Sequence, residues 1–185
     1  GKSFFAVFLS ALLSNPKEQI TQAAHKKLRE FDSNLAQEFK NLLKGNDGYL
    51  KILISGSVEP IEVKIYEALV NTIEENGFSE ILEKELKTTE PTSSEVLKLL
   101  SKLQDHLAKD SQFSGIVMVI DELGKFVQFA GRNKNQGDLF LLQQLAENTA
   151  LAHQCSFNLI AMLHQSLDVY AKDLDEETKL SLIHI

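Results

Sequence analysis

The chain contains few of the residues that mark disulfide-bonded or multidomain proteins. Its 185 residues include one cysteine, three prolines and nine glycines. Because the single Cys155 cannot form an internal disulfide, a reducing, cytoplasmic setting is favoured. The sequence has no internal repeat, low-complexity tract or Pro/Gly-rich linker. We therefore expect one domain over residues 1–185, which is long enough to bury a core without cross-links.

Basic residues are scarce relative to acidic ones. The chain has 19 lysines and arginines against 26 aspartates and glutamates, a formal net charge of −7. This balance offers no basic footprint for nucleic acid or an anionic membrane, although it permits a local basic groove. Apolar runs stay well below the roughly 20 residues that span a bilayer. We predict no membrane partner, and the segment does not indicate nucleic-acid binding.

The N-terminal stretch GKSFFAVFLSALLSN (1–15) combines a lysine with an apolar run of signal-peptide length. A secreted or anchored protein is therefore one alternative. The single basic residue and the lack of an A-x-A-like cleavage site disfavour it. Since the sequence lacks an initiator Met, we expect a chain that begins inside a longer open reading frame.

Hydrophobic periodicity predicts an alternation of helices and strands. Apolar runs predict strands at 49–56, 115–120 and 157–166. Helices are predicted at 3–13, 17–44, 60–76, 78–86, 93–109, 122–130 and 138–152. This order predicts an α/β fold, a three-layer αβα sandwich with a mainly parallel sheet that is covered on both faces.

Two local patterns refine these predictions. Thr92-x-x-Glu95 is a capping box that begins the helix at 93. The predicted 17–44 helix carries an apolar repeat that is expected to face the core, with its charged residues in solvent. The repeat consists of Ile20, Ala24, Leu28, Phe31, Leu35, Phe39 and Leu42.

Two neighbouring acids, Asp121 and Glu122, directly follow the apolar strand GIVMVI (115–120). Like charges at the end of a buried strand cost stability unless a positive group lies opposite them. Alternate side chains leave a strand on opposite faces, so adjacent acids can serve two targets, a metal ion and a nucleophile. The alternative is a helix start, with Asp121 as N-cap and Glu122 in the first turn.

Gly1-Lys2-Ser3 directly precedes the first apolar helix and matches the end of the P-loop pattern G-x-x-x-x-G-K-[ST]. Together with Asp121-Glu122, it resembles P-loop NTPases with a catalytic glutamate, of the AAA/STAND-like type. The segment DELGKFVQFAGRNKNQGDLFLLQQLAE (121–147) also resembles ATP-binding regions of large prokaryotic ATPases, some linked to phage defence. The chain would then be a partial ATPase domain, incomplete at both ends, that begins inside the Walker A motif.

The resemblance implies a role for each of these residues. Gly1, Lys2 and Ser3 would hold the phosphates of ATP, and Ser3 would also ligate Mg²⁺. Asp121 would hold the same metal ion, and Glu122 would activate the attacking water.

A further polar pair, His164-Gln165, lies at the end of the strand predicted at 157–166. In the resembling ATPases a polar residue at this position senses the γ-phosphate or orients water. The alternative is a structural histidine whose ring nitrogens are hydrogen-bonded at a strand-to-helix turn. Arg132 could act in trans on a neighbouring subunit, or it could simply be solvated.

The resulting prediction is an ATPase module. ATP binding and hydrolysis would drive a conformational switch in a larger multidomain protein, with self-association or other domains of the same chain as partners. The alternative is a non-catalytic α/β interaction domain without a competent nucleotide site. A zinc site is disfavoured, because His153, Cys155, His164 and Asp168 lack finger-type spacing.

Overall fold

The computed structural model describes residues 2–43, 46–82, 88–109, 112–133, 137–150, 155–170, 172, 174 and 179. Of Lys2, Ser3, Ala150, Leu167 and Asp168, only the backbone is described. The strands are β1 (Tyr49–Ser55), β2 (Gly115–Asp121) and β3 (Ser156–Ala161), and Ser79–Ile81 form a 3₁₀ turn. The helices are α1 (Lys2–Leu12), α2 (Gln19–Phe31), α3 (Ser33–Leu42), α4 (Ile61–Glu75), α5 (Ser93–Lys109), α6 (Leu123–Arg132), α7 (Phe140–Ala150) and α8 (Leu167–Tyr170).

The three strands form an all-parallel sheet in the order β1-β2-β3. Tyr49 pairs with Gly115 and Ser55 with Asp121, so β1 and β2 end at the same level. On the other side of β2, Ile120 pairs with Ala161. Because all three strands are parallel, their carboxyl ends lie together at one edge of the sheet.

Helices pack on both faces of this sheet. Ile116, Met118 and Ile120 of β2 belong to the larger core, which also contains the buried faces of α4, α5, α6 and α7. Val117 and Val119 point to the opposite face, where they pack with Leu13 and with residues of α1 and α3. The predicted α/β fold, with a parallel sheet between helices, is confirmed.

The segment predicted as one helix over 17–44 forms two helices, α2 and α3, and the single-helix prediction is wrong. Asp32 separates them in an extended conformation, with φ −146° and ψ 105°. Its carboxylate accepts hydrogen bonds from the backbone N–H groups of Asn34 and Leu35, at 3.0 and 2.9 Å. Asp32 is therefore the N-cap of α3, a local signal that competes with the continuous apolar repeat.

The apolar repeat of this segment faces the core only in part. Ala24 is buried, and it packs with Ala11 and Leu12. Phe31, in contrast, is 88% exposed. The break at Asp32 turns α3 away from the line of α2, so one stripe cannot face one core along both helices. Ile20, Leu35 and Leu42 are also exposed.

The remaining elements follow their predictions closely, with two differences at their ends. The capping box is present, because the Glu95 carboxylate accepts from the Thr92 backbone N–H at 2.7 Å. The strand predicted at 157–166 is shorter, since β3 ends at Ala161. The helix predicted at 78–86 is a 3₁₀ turn as far as it is described, and 83–87 lie outside the described residues. Within the described part of the chain, none of the helices has the length and apolar character needed to cross a membrane.

We expect the Asp32→Ala variant to lower the free energy of unfolding by about 1 kcal/mol, because two N–H groups of α3 lose their acceptor. Urea denaturation followed by circular dichroism would measure this change. Glu38→Ala, at an exposed position of the same helix, is the control and should change stability by less than about 0.5 kcal/mol. Equal stability of the two variants would contradict the capping role of Asp32.

Candidate functional site

The carboxyl edge of the sheet brings together three loops. The backbone N–H of Gly56, after β1, donates to the carbonyl of Asp121 at 2.8 Å. The backbone N–H of Met162, after β3, donates to the carbonyl of Ile120 at 2.8 Å. Leu123 N–H in turn donates to the Met162 carbonyl at 3.0 Å. These bonds fix the backbone around Asp121 and Glu122 from both sides.

Glu122 adopts a left-handed backbone conformation, with φ 52° and ψ 39°. Among the described residues it is the only non-glycine residue with positive φ. Such a conformation costs an L residue roughly 1–2 kcal/mol, which the surrounding structure must offset. Gly56 allows the close approach, since a Cβ atom there would lie 2.2 Å from the Glu122 carbonyl oxygen.

Asp121 is half-buried at the end of β2. One carboxylate oxygen, Oδ1, accepts from the backbone N–H of Glu122 at 2.8 Å. Within the part of the chain that is described, no hydrogen bond or ion pair engages the second oxygen. This oxygen is therefore free to accept a bond from a ligand or to coordinate a cation.

The alternative in which the two acids serve as a helix cap does not match the geometry. Asp121 is the last residue of β2, so it is not the N-cap of α6. Glu122 occupies the N-cap position, but its side chain accepts no capping hydrogen bond.

The Glu122 carboxylate instead lies between two basic side chains. Its Oε2 accepts from Nζ of Lys125 at 2.5 Å, and Nε2 of His164 lies 3.9 Å from its Oε1. The hydrogen bond from Lys125 lowers the pKa of Glu122 below its ordinary value, with a smaller contribution from His164. Glu122 is therefore an ionised carboxylate at neutral pH.

Of the predicted pair after β3, His164 and not Gln165 contacts the acids. His164 is 54% exposed, so its ring reaches Glu122 while remaining open to solvent. Gln165 is also exposed, and it forms no hydrogen bond with the described part of the chain. The structure thus brings together Asp121, Glu122 and His164 at one edge. Arg132 lies exposed at the end of α6.

The three residues of the predicted phosphate loop are only partly described. Gly1 lies outside the described residues, as do the side chains of Lys2 and Ser3. The backbone places Lys2 at the start of α1, one residue before the predicted helix start at 3.

Contacts at both ends of α1 show in which direction this helix runs along the sheet. The carbonyl of Leu13, just after α1, accepts from the Tyr49 N–H at the amino end of β1. Ala6, nearer the start of α1, packs in the cluster that contains Met162, which follows the carboxyl end of β3. The helix is about 16 Å long, against roughly 20–23 Å for the strands, so it runs along most of the sheet. Its amino terminus is therefore directed toward the edge that carries Asp121.

Lys125 was not identified from the sequence as a site residue. Its spacing of three positions from Glu122 on a helix is the signal that could have identified it. Gly56 was recognised only as the end of β1, because its contact with Glu122 joins residues that are far apart in the chain.

Cys155 is a buried thiol, and burial raises its pKa to about 11. It is therefore protonated at neutral pH and unsuited to act as a nucleophile. His153 lies outside the described residues, and the described part of the chain holds no cluster of three or more potential metal ligands.

Comparison of the chain with protein-family models, with curated proteins and with solved structures found no match.

We expect the Lys125→Gln variant to raise the pKa of Glu122 toward its ordinary value, because the carboxylate loses its strongest hydrogen bond. A carbon-13 NMR titration of the glutamate carboxyl groups would measure this shift. The ion pair's contribution to stability is present above the ordinary pKa of glutamate. It is lost as the pH falls through the lowered folded-state pKa.

Lys27→Gln is the control. Lys27 and Glu30 form an ion pair on α2 and are three positions apart, the same spacing as Glu122 and Lys125. That variant should leave the Glu122 titration unchanged. An unchanged Glu122 pKa in Lys125→Gln would show that the Lys125–Glu122 pair is absent in solution.

Proposed function

We propose that this chain forms an ATP-binding and ATP-hydrolysing module of the P-loop NTPase type, which drives a conformational switch in a larger multidomain protein. The observation that carries the proposal is the pair Asp121 and Glu122 at the end of the central, doubly buried strand. The two carboxylates have different environments. Asp121 keeps an unengaged oxygen, whereas Glu122 is held ionised by Lys125.

The residues present fit Mg²⁺ that is bound together with a nucleotide. Magnesium in such sites takes one or two carboxylates, with phosphate oxygens and waters as its remaining ligands. Asp121 would supply a carboxylate oxygen and Ser3 a hydroxyl. When bound, Mg²⁺ neutralises negative charge on the phosphates. The proposal requires no protein cage for the metal alone, since phosphate oxygens and waters complete the coordination.

Glu122 would position and polarise the attacking water. Its lowered pKa makes it a weak base, but phosphoryl transfer depends more on positioning and charge stabilisation than on full proton removal. His164, at the end of the neighbouring strand, would orient the Glu122 carboxylate or contact the γ-phosphate. The 3.9 Å distance between its Nε2 and the Glu122 Oε1 supports this role.

The amino terminus of α1 would bind the phosphates. Free backbone N–H groups and the helix dipole favour negative charge at this end of a helix. Lys2 would add a positive charge, and Gly1 would allow the backbone to approach the phosphates. The direction of α1 toward the carboxyl edge supports this assignment.

A second candidate function is a non-catalytic α/β interaction domain. The first half of α1 exposes large apolar side chains, with Phe4 71% exposed and Phe5 and Val7 also exposed. An exposed apolar surface of this kind is typical of a site that contacts another domain or a second copy of the chain. This candidate requires no nucleotide binding.

Glu122→Gln should lower the rate of ATP hydrolysis by about 100-fold or more, while ATP binding remains. The amide keeps the size of the side chain but cannot accept a proton or polarise water as a carboxylate does. Phosphate release and calorimetric titration with ATP and Mg²⁺ would measure turnover and affinity. Glu67→Gln is the control, because Glu67 pairs with Lys64 at the same spacing. Unchanged hydrolysis in Glu122→Gln would exclude the proposed role of Glu122.

Thermal unfolding with and without Mg-ATP distinguishes the two candidate functions. A ligand that binds only the folded chain stabilises it by about 1.4 kcal/mol at ten times its Kd. For a chain of this length we expect a rise in Tm of about 3–6 °C. The control is ATP with a chelator in place of Mg²⁺, which should give a smaller rise. An unchanged Tm at millimolar Mg-ATP would favour the interaction domain.

A further inference from the structure

A basic groove lies between α2 and α3, away from the carboxyl edge of the sheet. Its volume is about 240 Å³. Lys26 and Arg29 of α2 lie on one wall, and Lys40 of α3 lies on the other. The residues that line it, as far as they are described, include no aspartate or glutamate. A chain of net charge −7 thus concentrates positive charge in one concave surface.

In the part of the chain that the structure describes, no ion pair within 4.0 Å joins Lys26, Arg29 or Lys40 to an acid. Lys26 interacts with Glu30 only at longer range, as a minor cause of the lowered pKa of that carboxyl. The adjacent Lys27, in contrast, does not line the groove and pairs with Glu30 at 2.9 Å. Unpaired cations that face one another repel, so an anion between them lowers the electrostatic free energy.

The framework of the groove is fixed by buried contacts. Ala36 and Leu43 form an apolar floor, and both are buried. His25 lines the α2 wall, where its Nε2 donates to the carbonyl of Leu12 at 3.1 Å. The cap at Asp32 sets the turn between the two helices. The positions of the cations are therefore set by the packing of the two helices.

We propose that this groove binds a small molecule that carries a diphosphate group. Two linked phosphates carry about three negative charges near neutral pH, which matches the three free cations. Lys26 and Arg29 are three positions apart on one helix face, so both can contact adjacent phosphates. The ligand is either free diphosphate or an ester of it, and the apolar floor accommodates an organic substituent.

The size and charge of the molecule favour a small ligand over nucleic acid. A strand of nucleic acid would extend beyond a groove of about 240 Å³. It would then meet a surface whose overall charge is negative, which opposes binding of a long polyanion. A compact ligand is confined to the basic groove and avoids this repulsion.

The test measures binding of inorganic pyrophosphate by calorimetry, at low ionic strength and with a chelator that removes Mg²⁺. The Lys26→Gln/Lys40→Gln double variant should weaken binding about tenfold, since it removes two of the three cations. Lys27→Gln is the matched control on the same helix and should change affinity by less than about twofold. Circular dichroism melts of all variants would establish that they are folded, and the exposed positions predict an unchanged Tm.

The source of the diphosphate is identified by a second titration with ADP, again without Mg²⁺. Only binding that the double variant weakens is assigned to the groove. If this binding is tighter for ADP than for pyrophosphate, it supports a nucleoside diphosphate as the ligand. Equal affinities support the free anion. The proposal is overturned if the wild-type chain does not bind pyrophosphate at millimolar concentration, or if Lys27→Gln loses as much affinity as the double variant. Groove-dependent binding of a thymidine decanucleotide that is tighter than that of pyrophosphate would also overturn it, in favour of nucleic acid.

Discussion

Strand β2 is buried on both faces, and this burial organises the sheet and the site at its edge. Ile116, Met118 and Ile120 lie in one core, and Val117 and Val119 pack on the other face. A strand buried in this way must have neighbours on both sides, so β2 becomes the centre of the sheet. Its polar end then lies in the middle of the carboxyl edge, where loops from both neighbouring strands converge.

The groups at this edge reduce the electrostatic repulsion between the two adjacent carboxylates. Asp121 accepts from a backbone N–H, whereas Glu122 turns away through its left-handed backbone and pairs with Lys125. The strain at Glu122 is offset by the backbone bonds around it and by the tight contact with Gly56. Strain of this kind at the end of a central strand is typical of functional sites, and it supports the role we propose for Glu122.

Local charge differs from overall charge in this molecule. The chain is acidic, yet Lys26, Arg29 and Lys40 line one groove without acidic partners among the described residues. Helix α1 extends from the groove toward the carboxyl edge of the sheet. Its first turn is directed toward Asp121, and the carbonyl of Leu12 at its other end accepts from His25 in the groove wall. The two proposed anion sites therefore lie at opposite ends of one helix.

Hydrophobic period and helix caps act over a few residues, so the local sequence predicts most of the elements. These include the strands, the capping box and the acids at the end of β2. The split at Asp32 is also encoded locally, but the continuous apolar repeat obscures it. Tertiary packing is what brings His164 to Glu122, fits Gly56 against Glu122 and sets Lys40 across the groove from Lys26. These contacts join residues separated by 14 to 66 positions, and only the parallel sheet and the packing of α2 on α3 bring them together.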